Sequence, residues 1–229
     1  MIIINKLFKK YEDIVFKRLS IVIPENTISF FVGRNGAGKT TLMEIIMGLN
    51  EYQEGEIIID KENIKIPYSN EIRQKINFLP VENIAIAYLT ARENLEYYAC
   101  LYKIGSSQSK IDELILEYQL DEQEKKYVKY YSTGMKKRLD LAIFELTQAK
   151  ILLLDEPSVG LDVYNVDFLK KKLIDYKRKN KTVIVTSHDM SLCQKIADNV
   201  FLFKDKSVIK YDGQDVDAEK LVLDTYKRN

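Results

Sequence analysis

The apolar residues of the chain form short β-branched runs in some regions and stretches with helical spacing in others. Near the N-terminus they predict strands at Ile2–Ile4, Leu19–Ile23 and Ile28–Val32. A glycine-rich loop follows the third strand and leads into a predicted helix over Thr40–Met47, which Gly48 can end. Strand, loop and helix in this order are the usual unit of a parallel sheet.

The pattern changes between about residues 84 and 146, where helical spacing replaces the β-branched runs. The stretches Thr90–Tyr102 and Ile111–Tyr118 are the clearest predicted helices of this region. We therefore expect a helical subdomain inserted between strands. Further elements are predicted on either side of this region. They are one helix, over Val166–Lys179, and strands at Glu56–Ile59, Ile76–Leu79, Ile151–Leu154, Thr182–Thr186, Val200–Phe203 and Val208–Tyr211.

Composition narrows the possible partners. The 229 residues carry 35 Lys and Arg against 34 Asp and Glu, a net charge of +1, so no charge excess favours nucleic acid and none is expected as a partner. The apolar runs are far shorter than the roughly 20 residues that cross a bilayer. Cys100 and Cys193 lack metal-ligand spacing, and with no secretory signal before them we expect reduced core thiols in a cytosolic protein.

A phosphate-binding pattern lies between the third strand and the helix after it. Glycines let consecutive backbone N–H groups face a phosphate, and the helix N-terminus adds its positive dipole end. Lys39 can contact the β- and γ-phosphates, Thr40 can bind Mg²⁺, and Thr41 is the next candidate contact. The residues that fit G-x-x-x-x-G-K-[ST] are Gly33, Arg34, Asn35, Gly36, Ala37, Gly38, Lys39 and Thr40.

Two further strand ends carry candidate catalytic residues. Asp155 and Glu156 follow the apolar strand Ile151–Leu154, where Asp155 can hold Mg²⁺ and Glu156 can accept a proton from water. Alone, this pair fits a solvated turn equally well, but the phosphate-binding pattern upstream favours the catalytic interpretation. His188 is the only histidine and follows the strand Thr182–Thr186, from which it can reach a γ-phosphate.

The stretch 131–139, Tyr-Ser-Thr-Gly-Met-Lys-Lys-Arg-Leu, resembles the signature of the nucleotide-binding subunits of ABC transporters, and the likeness extends over essentially the whole chain. The resemblance implies that Ser132 and Gly134 contact the γ-phosphate held by an opposite subunit. For Lys136–Arg138, a solvated basic face is the simpler expectation. The fold implied is α/β: a P-loop NTPase core with a mainly parallel sheet, an N-terminal antiparallel portion and the helical insert, all in one domain over residues 1–229.

Other positions match or depart from this family. Tyr11 resembles the aromatic residue that stacks on adenine, residues 158–162 resemble the loop that joins two active sites, and His188 resembles the switch histidine. Where the family usually has a glutamine that touches Mg²⁺, this chain has Val81 followed by Glu82. Valine cannot bind a metal, so Glu82 or a water takes that place, or the coupling to a partner is altered.

The resemblance implies an ATPase that uses ATP and Mg²⁺ and powers transport, with export favoured by the signature variant. It also implies a separate transmembrane permease subunit, a homodimer or heterodimer of cassettes formed on ATP binding, and a location at the cytoplasmic face of the membrane. The aromatic stretch Tyr88–Tyr102 is either helix core and ordinary surface or part of a groove for that permease. The alternatives are a non-transport ABC ATPase and a regulatory cassette with weak turnover.

Overall fold

The computed structural model describes residues 1–105, 108–188, 190–193 and 195–213. Its strands, in chain order, are β1 (Ile2–Lys10), β2 (Ile14–Ile23), β3 (Ile28–Gly33), β4 (Glu54–Ile59), β5 (Glu62–Ile64), β6 (Ile76–Leu79), β7 (Ile151–Leu154), β8 (Thr182–Ser187), β9 (Asn199–Lys204) and β10 (Ser207–Asp212). Its helices are α1 (Lys39–Met47), α2 (Asn70–Lys75), α3 (Ala91–Leu101), α4 (Gln108–Glu117), α5 (Thr133–Leu146), α6 (Val163–Arg178) and α7 (Met190–Cys193). Every strand and helix expected from the sequence is present, whereas β5, α2, α5 and α7 have no counterpart among the predicted elements.

The described strands form two sheets. One is antiparallel, with the order β2-β1-β4-β5. The other has the order β10-β9-β3-β8-β7-β6, in which all neighbours are parallel except β10 and β9. The parallel strands β3, β8, β7 and β6 therefore end at one common edge. This arrangement confirms the predicted fold class.

The larger sheet separates two apolar clusters. Phe30 of β3 belongs to the cluster that includes helices α3 to α6, whereas its neighbour Phe31 belongs to the cluster on the other face, with α1 and the antiparallel sheet. Adjacent strand residues point to opposite faces, so β3 can be buried along its whole length only between two layers. The central strand that leads into the glycine-rich loop is thus fixed from both sides.

Helices α3, α4 and α5 lie between β6 and β7 in the chain, as expected for the insert. Hydrogen bonds of a buried and a half-buried side chain connect the segment that enters it to these helices. Asp140 of α5 accepts hydrogen bonds from the amides of Ile84 (3.1 Å) and Ala85 (2.9 Å), and Tyr98 of α3 donates to the Ile84 carbonyl at 2.6 Å. These contacts place residues 84–85 against the helices of the insert.

The expected solvated basic face at Lys136–Arg138 is wrong. Lys137 is 5% exposed, and Arg138 is half-buried, with Nε donating to Asn165 Oδ1 at 2.9 Å. Helix α5 is buried on several sides because it packs against α3 of the insert and against β6 of the larger sheet, so its cations lie against protein. The expectation of two core cysteines is also half wrong, since Cys193 is buried and Cys100 is exposed.

None of the helices in the described part of the chain combines the length and apolarity needed to cross a bilayer.

Candidate nucleotide-binding and catalytic site

The glycine-rich loop joins the end of β3 to the start of α1. Gly38 is the N-cap of α1 and has φ of +99°, and an added Cβ there would lie 2.8 Å from the ring of Phe16. Both the positive φ and the close packing require glycine at this position. The turn is closed by the Ala37 amide, which donates to the Arg34 carbonyl at 3.1 Å.

Lys39 extends back along the loop that precedes it. Its ammonium donates to the carbonyls of Gly33 (2.8 Å) and Arg34 (3.3 Å) and lies 3.8 Å from Oε1 of Glu156. The side chain is 6% exposed, and burial lowers the Lys39 pKa, while Glu156 and then Asp155 act in the opposite direction. The Lys39 ammonium is therefore held between the glycine-rich loop and the carboxylate of Glu156, which follows β7.

Asp155 joins three elements at the common edge of the sheet. Its Oδ2 accepts a hydrogen bond of 2.8 Å from the Thr40 hydroxyl, and its Oδ1 accepts one from the Thr186 hydroxyl. The Thr186 hydroxyl in turn accepts a hydrogen bond of 2.8 Å from the Glu156 amide. Thr186, which sequence reasoning did not single out, thus holds both acidic positions. The parallel register, in which Leu154 pairs with Val185, is what brings Thr186 beside Asp155.

Glu156 has an unusual backbone conformation and two charged or polar neighbours. Its φ is +45°, in the left-handed region that non-glycine residues seldom occupy and that is often found at functional sites. Oε2 lies 2.8 Å from Nδ1 of His188, and Oε1 faces Lys39. The three predicted catalytic residues, Lys39, Glu156 and His188, therefore lie together, although they come from different parts of the chain.

A cavity of about 430 Å³ opens in front of these residues. Tyr11, in the turn between β1 and β2, stands at its border with 54% of its surface exposed. The cavity is lined by Tyr11, Val15, Asn35, Gly36, Gly38, Lys39, Thr40, Thr41 and Glu156.

Ser132 and Gly134 lie at the N-terminus of α5, outside the lining of this cavity. Ser132 is the N-cap and accepts a hydrogen bond from the Met135 amide at 3.3 Å. An added Cβ on Gly134 would overlap the side-chain amide of Asn165, which Asp162 and Arg138 hold at 2.9 Å each. The chain therefore does not bring these two residues to its own phosphate-binding loop.

Val81 and Glu82 lie just beyond β6 at the same edge of the sheet. Both side chains are exposed, Val81 by 42%. Burial lowers the pKa of the Lys137 ammonium, while Asp140 and then Glu82 act in the opposite direction.

Comparison with known proteins identifies the class to which this fold and site belong. The family model described as ABC transporter matches residues 16–159, more than half of the chain. The chain belongs to the ABC transporter family and is an ATP-binding subunit and ATPase of that family.

Two curated relatives and one solved structure illustrate the likeness. The lantibiotic transport ATP-binding protein SrtF of Streptococcus pyogenes is 31% identical over 219 residues, which cover 94% of this chain and 93% of that protein. The ABC transporter ATP-binding protein NatA of Bacillus subtilis is 30% identical, covering 90% and 82%. The dimeric, post-hydrolysis structure of the ATP-binding cassette MJ0796 with ADP and Pi is 26% identical, with a TM-score of 0.78 over 93% of this chain and 98% of that one.

Proposed function

We propose that this chain hydrolyses Mg-ATP at the site formed by Lys39, Asp155 and Glu156, and that it powers export through a separate transmembrane partner. The observation that supports this proposal is the convergence of these residues with Thr40 and His188 at one edge of the parallel sheet. Residues 1–229 then act as a single ABC ATPase domain, with residues 84–146 as its helical insert.

Each side chain has a defined task in this proposal. Lys39 binds the β- and γ-phosphates, and the amides of the loop, from Gly33 to Thr41, contact the remaining phosphate oxygens. Glu156 takes a proton from the attacking water, and His188, bonded to Glu156, orients that carboxylate towards the γ-phosphate. Tyr11 stacks on the base.

The site also suits a magnesium ion. The Thr40 hydroxyl and the Asp155 carboxylate are hydrogen-bonded to each other, so two oxygen ligands already lie together beside the loop. Among the described residues, no cluster of three or more His, Cys, Asp or Glu side chains forms a cage of its own. Few protein ligands and several oxygens from phosphate and water are the usual environment of Mg²⁺, which neutralises charge on the phosphates when bound.

Ser132 and Gly134 are proposed to serve a second cassette. They lie outside the cavity of their own chain, at a helix N-terminus, which suits a phosphate held by an opposite subunit. The dimeric state of the MJ0796 cassette supports such a pairing, as a homodimer or a heterodimer. Hydrolysis and dimerisation are then linked.

Transport and export are supported by the names of relatives and by the signature. SrtF is a lantibiotic transport protein and NatA an ABC transporter protein, and the Ser-Thr-Gly-Met variant resembles those of exporters. We propose a transmembrane permease as the partner, which holds the chain at the cytoplasmic face of the membrane. Uptake by inside-out vesicles that contain the permease tests the direction, because export from the cell requires ATP-dependent accumulation inside such vesicles.

The site itself is tested by Lys39→Ala. Charge-assisted hydrogen bonds are worth about 1.5 to 3 kcal/mol, so the variant should bind Mg-ATP at least about tenfold more weakly. Isothermal titration of the purified chain measures this. Unchanged affinity would exclude the glycine-rich loop as the phosphate site.

A further inference from the structure

A buried lysine lies behind the exposed ring of Tyr11. The Lys9 ammonium is 4.2 Å from the centroid of that ring, within the range of a cation–π contact. Lys9 is 4% exposed and lies outside the lining of the nucleotide cavity, whereas Tyr11 borders it. One face of the ring is therefore in contact with the ammonium.

The ammonium itself is fixed by the segment that follows helix α1. Lys9 Nζ donates to Asn50 Oδ1 at 2.8 Å and to the Glu51 carbonyl at 2.6 Å. These neutral acceptors hold the cation without neutralising it, so its charge still acts on the aromatic ring.

Asn50 also contacts the Tyr11 side chain, at its hydroxyl. Its amide donates to the Tyr11 hydroxyl and, at 3.1 Å, to Oε2 of Glu44, a residue of α1. Helix α1 begins at Lys39, in the phosphate-binding loop. The hydrogen bonds thus connect the ring that borders the base end of the cavity to the helix that borders its phosphate end.

We propose that Lys9 is a positioning residue for nucleotide binding, which acts by fixing the ring of Tyr11 with the help of Asn50. A tyrosine in an exposed turn would otherwise lose side-chain freedom when a base stacks on it. A ring that is already fixed binds the base at a smaller entropic cost. The inference rests on the proposed stacking role of Tyr11, and the ligand concerned is the purine base.

The test compares Mg-ATP with inorganic Mg-tripolyphosphate, which lacks a base, by isothermal titration of the full chain. Stacking of a base on an aromatic ring is worth about 5- to 150-fold in affinity, and we expect Lys9→Met to bind ATP about fivefold more weakly. Affinity for tripolyphosphate should be unchanged, and Lys9→Arg should restore most of the affinity for ATP. In a Tyr11→Ala background, Lys9→Met should cause no further loss.

Other outcomes overturn the inference. Normal ATP affinity of Lys9→Met together with weak binding by Tyr11→Ala would leave the stacking role intact and remove the role of Lys9. An equal loss for tripolyphosphate, or a further loss in the Tyr11→Ala background, would mean that Lys9 acts through the general structure or on the ligand directly. If Tyr11→Ala bound ATP normally while Lys39→Ala did not, base stacking on Tyr11 would fail, and the positioning role with it.

A second variant covers the case in which Lys9→Met does not fold. Asn50→Ala removes the hydrogen bonds to the ring and to the ammonium at a half-buried site. It should weaken ATP binding in the same direction and leave tripolyphosphate binding unchanged. ATP affinity equal to that of the wild type would overturn the inference.

Discussion

Nδ1 of His188 lies 2.8 Å from Oε2 of Glu156, while the other oxygen of the same carboxylate faces Lys39. The carboxylate is therefore held from two sides, and its replacement by an amide should keep the shape of the site while removing the base. We expect Glu156→Gln to lower the ATPase rate by about 10² to 10⁴ and to bind Mg-ATP nearly as well as the wild type. Steady-state turnover and a binding titration measure the two effects.

The same variant tests the split site. Without turnover, the ATP that joins two cassettes is not consumed, so Glu156→Gln should accumulate as a dimer with Mg-ATP in size-exclusion runs. The matched control is Glu156→Gln combined with Lys39→Ala, which should stay monomeric at an ATP concentration that saturates only Glu156→Gln, because its affinity for ATP is at least about tenfold weaker. Identical monomer peaks with and without ATP for Glu156→Gln alone would contradict pairing by the isolated subunit.

A side chain at Gly134 should displace the side-chain amide of Asn165, which occupies the space that a Cβ would need and is held by Asp162 and Arg138. Overpacking of this kind costs about 1 to 3 kcal/mol of the free energy of unfolding, or about 2 to 4 °C in Tm for each kcal/mol. Displacement of the start of α5, which carries Ser132 and Gly134, should lower the ATPase rate of Gly134→Ala by about 10²-fold. Gly105→Ala is the control, since an added Cβ there meets nothing within 4 Å. Wild-type turnover of Gly134→Ala would argue against a role of the start of α5 in ATP hydrolysis.

Asp140 should make stability depend on pH. Burial raises the pKa of its carboxyl from 3.8 to about 6, a change that the Ala85 amide and Lys137 only partly offset. The folded chain then binds the proton more tightly than the unfolded chain, so this group's contribution to stability falls as pH rises from about 4 to about 6. Above that window the loss is about 3 kcal/mol.

Asp140→Asn isolates this effect. The asparagine oxygen can still accept from the amides of Ile84 and Ala85, and its NH₂ takes the place of Oδ2, which has no hydrogen-bond partner among the described residues. The Tm of the wild type should therefore fall relative to that of Asp140→Asn between pH 4 and pH 6, roughly the interval between the two pKa values. A Tm difference that is constant over this interval would contradict the raised pKa.

Glu82 should affect the coupling to the transmembrane partner and not the hydrolysis of ATP. Because Mg²⁺ gives up its water reluctantly, we expect a water in place of the usual glutamine, with Glu82 directed outwards. Glu82→Ala should keep the basal ATPase of the isolated chain within about threefold, well short of the roughly 10²-fold loss of a catalytic group, yet reduce stimulation by the assembled transporter. Val81→Gln should be tolerated. A large basal loss in Glu82→Ala would make Glu82 a metal ligand.

The chemistry-bearing residues were predictable where a local pattern carries them. Lys39 and Thr40 follow a glycine spacing that few other structures need, and Asp155 and Glu156 end an apolar strand. Thr186 was not predictable from its own surroundings, because its role depends on the register between β7 and β8.

Other differences have a similar physical origin. Helix α2 and strand β5, of six and three residues, are too short to show a period in the sequence. Lys137 and Arg138 look like solvated cations in a sequence, and only the packing of α5 against the other helices of the insert and against the larger sheet buries them. Lys9 was likewise not predictable from the sequence, because its contacts with Asn50 and Glu51 join distant parts of the chain.

The strand order has a consequence for how the site comes into existence. In the larger sheet β3 pairs with β8 on one side and with β9 on the other. Ile28 therefore cannot pair before Val183 has been synthesised, nor Ser29 before Asn199. Contacts between such distant segments form late, because long stretches of chain must first be brought together. During synthesis, the phosphate-binding loop therefore leaves the ribosome long before either strand that holds β3 in place. Recovery of nucleotide binding in a refolding experiment would accordingly report the closing step of folding and not its beginning.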